Sequence, residues 1–135
     1  MSGRIETRAP SRLACLVALS AVKLGLATLG FGRLFAAAGR LLRGREPAEA
    51  PETVLRETTR RVALVAAFFP GRALCLEQSL ALWMLLRRRG IEADLRLGVQ
   101  PYPFGAHAWV EHRGQPLNER PESVGSFVTL PSFGR

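Results

Sequence analysis

At Gly90 the hydrophobic pattern changes period, and no other feature of the sequence constrains the fold more. Upstream, in CLEQSLALWMLLRRRG, Leu76, Leu80, Trp83 and Met84 recur at the three- and four-residue spacing of one buried helix face. Downstream, in IEADLRLGV, Ile91, Ala93, Leu95, Leu97 and Val99 alternate with polar or small residues, as in a strand with one face buried. The expected helix runs from about Ala73 to Arg89. Gly90 lies just past its end, and Arg87, Arg88 and Arg89 complement the negative end of its dipole. The expected first strand covers 91–99. QPYPFG follows as a loop held by two prolines, AHAWVEH (106–112) as a second strand, Arg113-Gly114 as a hairpin turn and QPLNE (115–119) as a third strand. The tail GSFVTLPSF adds a short strand or packs on the core. Helices followed by an antiparallel meander make the class α+β.

The first half of the chain reads as helix. Two stretches, 11–29 and 31–43, join at Gly30–Gly32. GREPAEAPE (44–52) is a linker by composition, and TVLRETTRRVALVAAFF forms a helix from the N-cap Thr53 to a stop at Pro70-Gly71. The expected organisation is an N-terminal helical segment, 1–50, covering the core or docking a partner, with the linker at 44–52, and a second unit over 53–135. Arg4, Arg8 and Arg12 ahead of LACLVALSAV look like the start of a signal peptide. Lys23 interrupts that run, however, and neither apolar stretch reaches the roughly 18–20 residues of a membrane span. Residues 11–43 are therefore read as two helices packed on a core or partner. The alternative is contact with a membrane surface, with Arg33, Arg40 and Arg43 bordering an apolar face.

The net charge of +8 comes almost entirely from arginine, Lys23 being the only lysine. Such a chain attracts acidic peptides, nucleic acid and anionic membranes alike. It carries no C₂H₂ spacing, aromatic strand signature or lysine stripe, so nucleic acid is not an expected partner. The two cysteines, Cys15 and Cys75, form no CxxC, and with His107 and His112 they fill no closed zinc site at a standard spacing. The expectation is two reduced thiols in a cytosolic chain, with no metal and no cofactor.

Cys75 stands at the head of the helix that precedes Gly90. There the positive field of the helix N-terminus favours thiolate, and free N–H groups point where an acyl oxyanion would form. The alternative is a small core residue. His107 lies on a downstream strand, where an imidazole can meet that helix end. A nucleophile on a helix, a histidine on a following strand and a polar orienter on the next make a papain-type arrangement. His112 has the opposite strand parity and adjoins the turn. Phe104 and Trp109 either line a substrate groove or pack in the core. Glu77 and Gln78 either contact substrate or lie on a solvated helix face.

Four motifs carry a family resemblance: C-L-x-x-S-L at 75–80, L-L-R-R-R-G at 85–90, L-G-V at 97–99 and P-F-x-A-H-A-W-V-E at 103–111. Over residues 70–119 the chain resembles the transglutaminase-like cysteine peptidases that remove leader peptides in lasso-peptide biosynthesis. It is most similar to the short, stand-alone protease of split systems, whose leader-recognition domain is a separate protein. The resemblance implies a transglutaminase-like, papain-like fold and a Cys-His-acid protease that cuts a precursor peptide at its leader–core junction. Its partners would be that leader-recognition protein and an ATP-dependent lasso cyclase. Cys75 is then the nucleophile and His107 the general base. The family usually has Asp on the strand after HAWVE, whereas this chain offers Asn118 and Glu119. The motif position favours Glu119. A two-residue turn at 113–114 pairs Trp109 with Asn118 and favours Asn118, while a three-residue turn puts Glu119 across from His107. A non-catalytic basic peptide-binding adaptor is the other class. It would keep its function in Cys75→Ala and lose it steeply with salt.

Overall fold

A computed structural model describes residues 8–42, 49–69, 75–101, 104–125 and 127–130, with the side chains of Pro101 and Phe104 outside that description. The Pro70-Gly71 stop, most of the 44–52 linker and the end of the tail also lie outside it. The order is α1 (Arg12–Thr28), α2 (Gly30–Leu42), α3 (Glu52–Ala67), α4 (Cys75–Arg88), β1 (Asp94–Pro101), β2 (Phe104–His112), β3 (Gln115–Pro116), α5 (Pro121–Val124) and β4 (Val128–Thr129). Helices and a small antiparallel sheet give the α+β fold.

Each helix boundary has a local cause. Ser11 caps α1, its hydroxyl accepting the Ala14 N–H at 3.1 Å. Gly30, at φ +82°, makes the joint to α2. Close by, Gly25 lets Leu34 of α2 approach α1, since a Cβ there would lie 2.7 Å from Leu34 Cδ1. α3 begins at Glu52 behind Pro51, one residue before the expected cap Thr53. α4 ends in a Schellman motif: the Gly90 N–H bonds the Arg87 carbonyl at 2.9 Å, and the Ile91 N–H bonds that of Leu86 at 3.0 Å. Gly90 supplies the positive φ, +79°, that this ending requires.

One hydrophobic core joins Cys15, Leu19 and Val22 of α1 and Leu55 and Val62 of α3 to Leu80, Trp83 and Leu86 of α4, together with Ile91, Leu95 and Val110. Each large apolar side chain buried there contributes about 1.5–3 kcal/mol. Trp83 is fully enclosed, its ring 4.7 Å from that of Phe35 on α2 and its Nε1–H donating to the Ala93 carbonyl at 3.2 Å. The buried Thr58 hydroxyl is satisfied inside its own helix by the Val54 carbonyl, 2.7 Å away. Among the described residues no helix is long and apolar enough to cross a membrane.

The sheet has the order β3-β2-β1-β4. β1 and β2 pair from Asp94↔Glu111 to Pro101↔Phe104, so the strands run two residues further into the expected loop on each side. Ala108 and Val110 share one face of β2. His107, Trp109 and Glu111 share the other, as the two-residue repeat of a strand requires.

Candidate active site

Cys75 is the first residue of α4 and is half-buried. The N–H groups of a first helical turn have no partner within the helix, and they carry its partial positive charge. Glu77 in the same turn meets Lys23 of α1 at 3.3 Å and is largely covered, so it is neither solvated nor free for substrate. The other thiol is different. Cys15 has no exposed surface, and burial pushes its thiol upward.

His107 sits on β2 opposite Gly98, with the Phe127 ring 5.7 Å and the Trp109 ring 6.1 Å from its own. Its Nε2 lies against the Glu119 carboxylate, and both side chains are about three-quarters shielded from solvent (25% and 21% exposed). Glu119 meets the ring at Nε2, which leaves Nδ1 outside that contact. Asn118 goes elsewhere. Its Oδ1 accepts the Val110 N–H at 2.8 Å, and its Nδ2 donates to Ser79 Oγ at 2.9 Å.

The hairpin has the two-residue turn, with Arg113 at φ 52° and Gly114 at φ +82°, and pairs Glu111 with Pro116. Strand parity with that turn would place Asn118 on the His107 face, provided the strand continued to 118. It stops at Pro116, and residues 117–119 bend away. The carboxylate of Glu119 therefore reaches the imidazole despite the two-residue turn.

α4 and β2 are joined beside these groups. Ser79 donates its hydroxyl proton to the Ala108 carbonyl at 3.0 Å. Ser79 lies one helical turn beyond Cys75 on the same face, about 6 Å along the axis, and Ala108 is the residue after His107. The head of α4 thus lies along the strand segment that carries the imidazole.

Other expected site residues fall outside this cluster. Trp109 is fully buried, its Nε1–H donating to Glu111 Oε2 at 2.9 Å. Its ring lies over Gly98 and packs with His107 and Phe127, and with Phe127 covering that face of the sheet it does not line a groove. The Phe104 side chain lies outside the described residues. His112, at the turn, donates through Nδ1 to the Glu92 carbonyl at 2.6 Å. Ser79 enters the sequence reading only as the serine of the C-L-x-x-S-L motif and Phe127 only within the tail GSFVTLPSF, with no role assigned to either. A serine on the otherwise apolar face of α4, four residues from Cys75, was the available signal for the first, and nothing local marked the second.

A family model described as the transglutaminase-like superfamily matches residues 15–132, a span that includes Cys75, His107 and Glu119. The chain is 34% identical over 70 residues to the microcin J25-processing protein McjB of Escherichia coli. That match takes in 52% of this chain and 34% of the relative, so only about a third of the relative's length is represented. No solved structure matches the chain at a significant level.

Proposed function

Since the chain belongs to the transglutaminase-like superfamily, we propose that it is a cysteine peptidase that removes the leader from a lasso-peptide precursor. The observation that carries this reading is the pairing of His107 with Glu119 beside the helix that Cys75 heads. Likeness to a protein named for processing microcin J25 supports the substrate class.

In this mechanism His107 takes the Cys75 proton, and Sγ attacks the carbonyl carbon of the leader–core bond. The carbonyl π electrons move to oxygen, and the first-turn N–H groups of α4 receive that oxyanion. As the C–N bond breaks, His107 returns the proton to the core's new amine and the leader stays on Sγ as a thioester. Water, deprotonated by His107, then releases the leader acid and the thiol. Glu119 holds the ring in the tautomer that presents Nδ1 to sulfur and stabilises the imidazolium.

The partners in this reading are the precursor, a separate leader-recognition protein and the ATP-dependent cyclase that receives the core, all in the cytoplasm. The leader-recognition protein docks on the 1–50 segment, where Leu13, Leu16, Val17 and Leu24 face outward along α1. A cavity of about 480 Å³ opens beside them between α1 and α3, bordered by Leu64 and Phe68.

The test is incubation of wild type and Cys75→Ala with a candidate precursor and leader-binding partner, with products read by mass spectrometry. Cleavage is expected from wild type alone. Equal cleavage by Cys75→Ala would refute the assignment.

A further inference from the structure

Glu119 reaches His107 only because the β ladder breaks before it. If β3 continued in the observed register, Leu117 would pair with Val110 and Glu119 with Ala108. Paired residues share a face, so the Glu119 side chain would then point with Ala108, away from His107. The Leu117 N–H still bonds the Val110 carbonyl at 2.8 Å, the last bond of regular form. Beyond it, side chains take the places of backbone groups. Asn118 Oδ1 accepts the Val110 N–H that the Leu117 carbonyl would have taken. Ser79 Oγ gives the Ala108 carbonyl the proton that the Glu119 N–H would have given. Asn118 Nδ2 closes the chain onto Ser79 Oγ.

We infer that Ser79 and Asn118 are positioning residues for the His107–Glu119 pair, a clamp that ends the ladder and turns the Glu119 carboxylate onto the imidazole. The inference rests on the cysteine-peptidase reading of this site and adds two members to it. The clamp allows one proton arrangement. The single Ser79 proton goes to a carbonyl that can only accept, which leaves its lone pair for the Asn118 amide. That in turn fixes Oδ1 toward the Val110 N–H. Ser79 has no exposed surface, so water does not replace it. The clamp also spans all three elements that carry the proposed triad: α4 with Cys75, β2 with His107 and the 117–120 segment with Glu119.

The test uses the full chain and two readouts. The first is the Nε2–H proton of His107 followed by NMR in a Cys75→Ala background, with His112→Gln to assign the signals; a charge-assisted hydrogen bond to a carboxylate is short and moves such a proton downfield. On the His107 face of β2 and β1 the other charged groups are Glu111, Arg96 and Asp94, the first two paired at 3.6 Å. Glu119 is the carboxylate in contact with Nε2, so removing its charge is expected to dominate this signal. Glu119→Gln moves the signal upfield, and Ser79→Ala and Asn118→Ala move it in the same direction. The second readout is kcat and KM on a precursor peptide with Cys75 intact. Each clamp variant loses roughly 10²-fold in kcat, the scale of an ångström of misplacement, with little change in KM. Neither adds to Glu119→Gln in the double variant, and Ser79→Thr, which keeps the hydroxyl, retains the wild-type Nε2–H signal.

An unmoved Nε2–H signal in both clamp variants, or kcat losses that add in full to that of Glu119→Gln, would overturn the clamp. If the signal moves as stated but wild type cuts no precursor, the clamp stands and the peptidase reading falls. Circular dichroism checks folding. Should Ser79→Ala fail to fold, Asn118→Ala, at a half-buried position, carries the same test.

Discussion

Gly98 lies across the ladder from His107, and its missing side chain is a structural requirement that a single substitution can measure. A Cβ at this position would lie 2.7 Å from Phe127 Cβ and 2.9 Å from two ring carbons of Trp109. Non-bonded carbons pack at about 3.5–4.0 Å, so alanine requires roughly 1 Å of displacement. Trp109 is fully enclosed and has nowhere to go. Phe127 is half-buried and leads into β4, which is held to β1 by two residue pairs and by the Leu130 N–H on the Leu97 carbonyl at 2.8 Å. The 127–130 segment is therefore the part that yields. Overpacking of this kind costs about 1–3 kcal/mol, which for a chain of this size lowers Tm by roughly 3–15 °C. Phe127 also borders the imidazole, so cleavage falls about tenfold or more along with stability. Thermal unfolding by circular dichroism and a cleavage assay read both effects. Gly125→Ala is the control, since its Cβ would meet nothing closer than the Glu122 carbonyl oxygen at 3.7 Å, and its helical φ of −64° suits alanine. A Gly98→Ala protein that melts with wild type and cleaves at the wild-type rate would show that the Phe127–Trp109 contact over Gly98 is wrong.

The two thiols should separate cleanly in a labelling experiment. The native chain takes up one equivalent of a thiol reagent, at Cys75, while Cys15, enclosed and with its thiol raised by burial, reacts only after unfolding; mass mapping of the native adduct to Cys15 would contradict this. Glu57 supplies an acid-range test. The Arg60 and Arg61 guanidiniums hold its carboxyl down to about 2 from an ordinary 4.5. A depressed folded-state value means stabilisation that is whole above about pH 4.5 and is lost as pH falls through about 2. The stability gap between wild type and Glu57→Gln should close over that window, and a gap that persists below it would rule the pairing out.

Much of the fold is legible because it depends on near neighbours in the chain. The period change at Gly90, the basic last turn of α4 and the glycine beyond it all act within a few residues, and helix, Schellman ending and strand follow. Boundaries that depend on distant contacts were harder to read. Lys23 looks like an interruption of an apolar helix until its partner appears, Glu77, 54 residues away. QPYPFG reads as a loop because two prolines weaken a ladder, yet Pro101 pairs with Phe104 at the strand ends, where a missing N–H costs least. Trp109 shares the His107 face by parity, and a groove wall was a fair reading of an exposed face. The segment that covers that face comes from beyond residue 125, where the sequence shows no strand pattern strong enough to place it.

In the site, legibility follows the kind of constraint each residue satisfies. Cys75 and His107 can be proposed from sequence because a thiolate needs a helix N-terminus and an imidazole needs a strand facing it, and both are positions within single elements. The choice between Asn118 and Glu119 depends instead on where a ladder stops, and a sheet edge stops when something else satisfies its backbone groups. That something is a serine 39 residues upstream. The composition of QPLNE did hold a warning, since proline and asparagine are both poor strand formers and one strand of five residues was expected to carry both. Ending the strand at Pro116 makes the two-residue turn and the carboxylate partner compatible: the turn sets the register, Asn118 breaks it, and Glu119 is the first residue free to leave the ladder's parity.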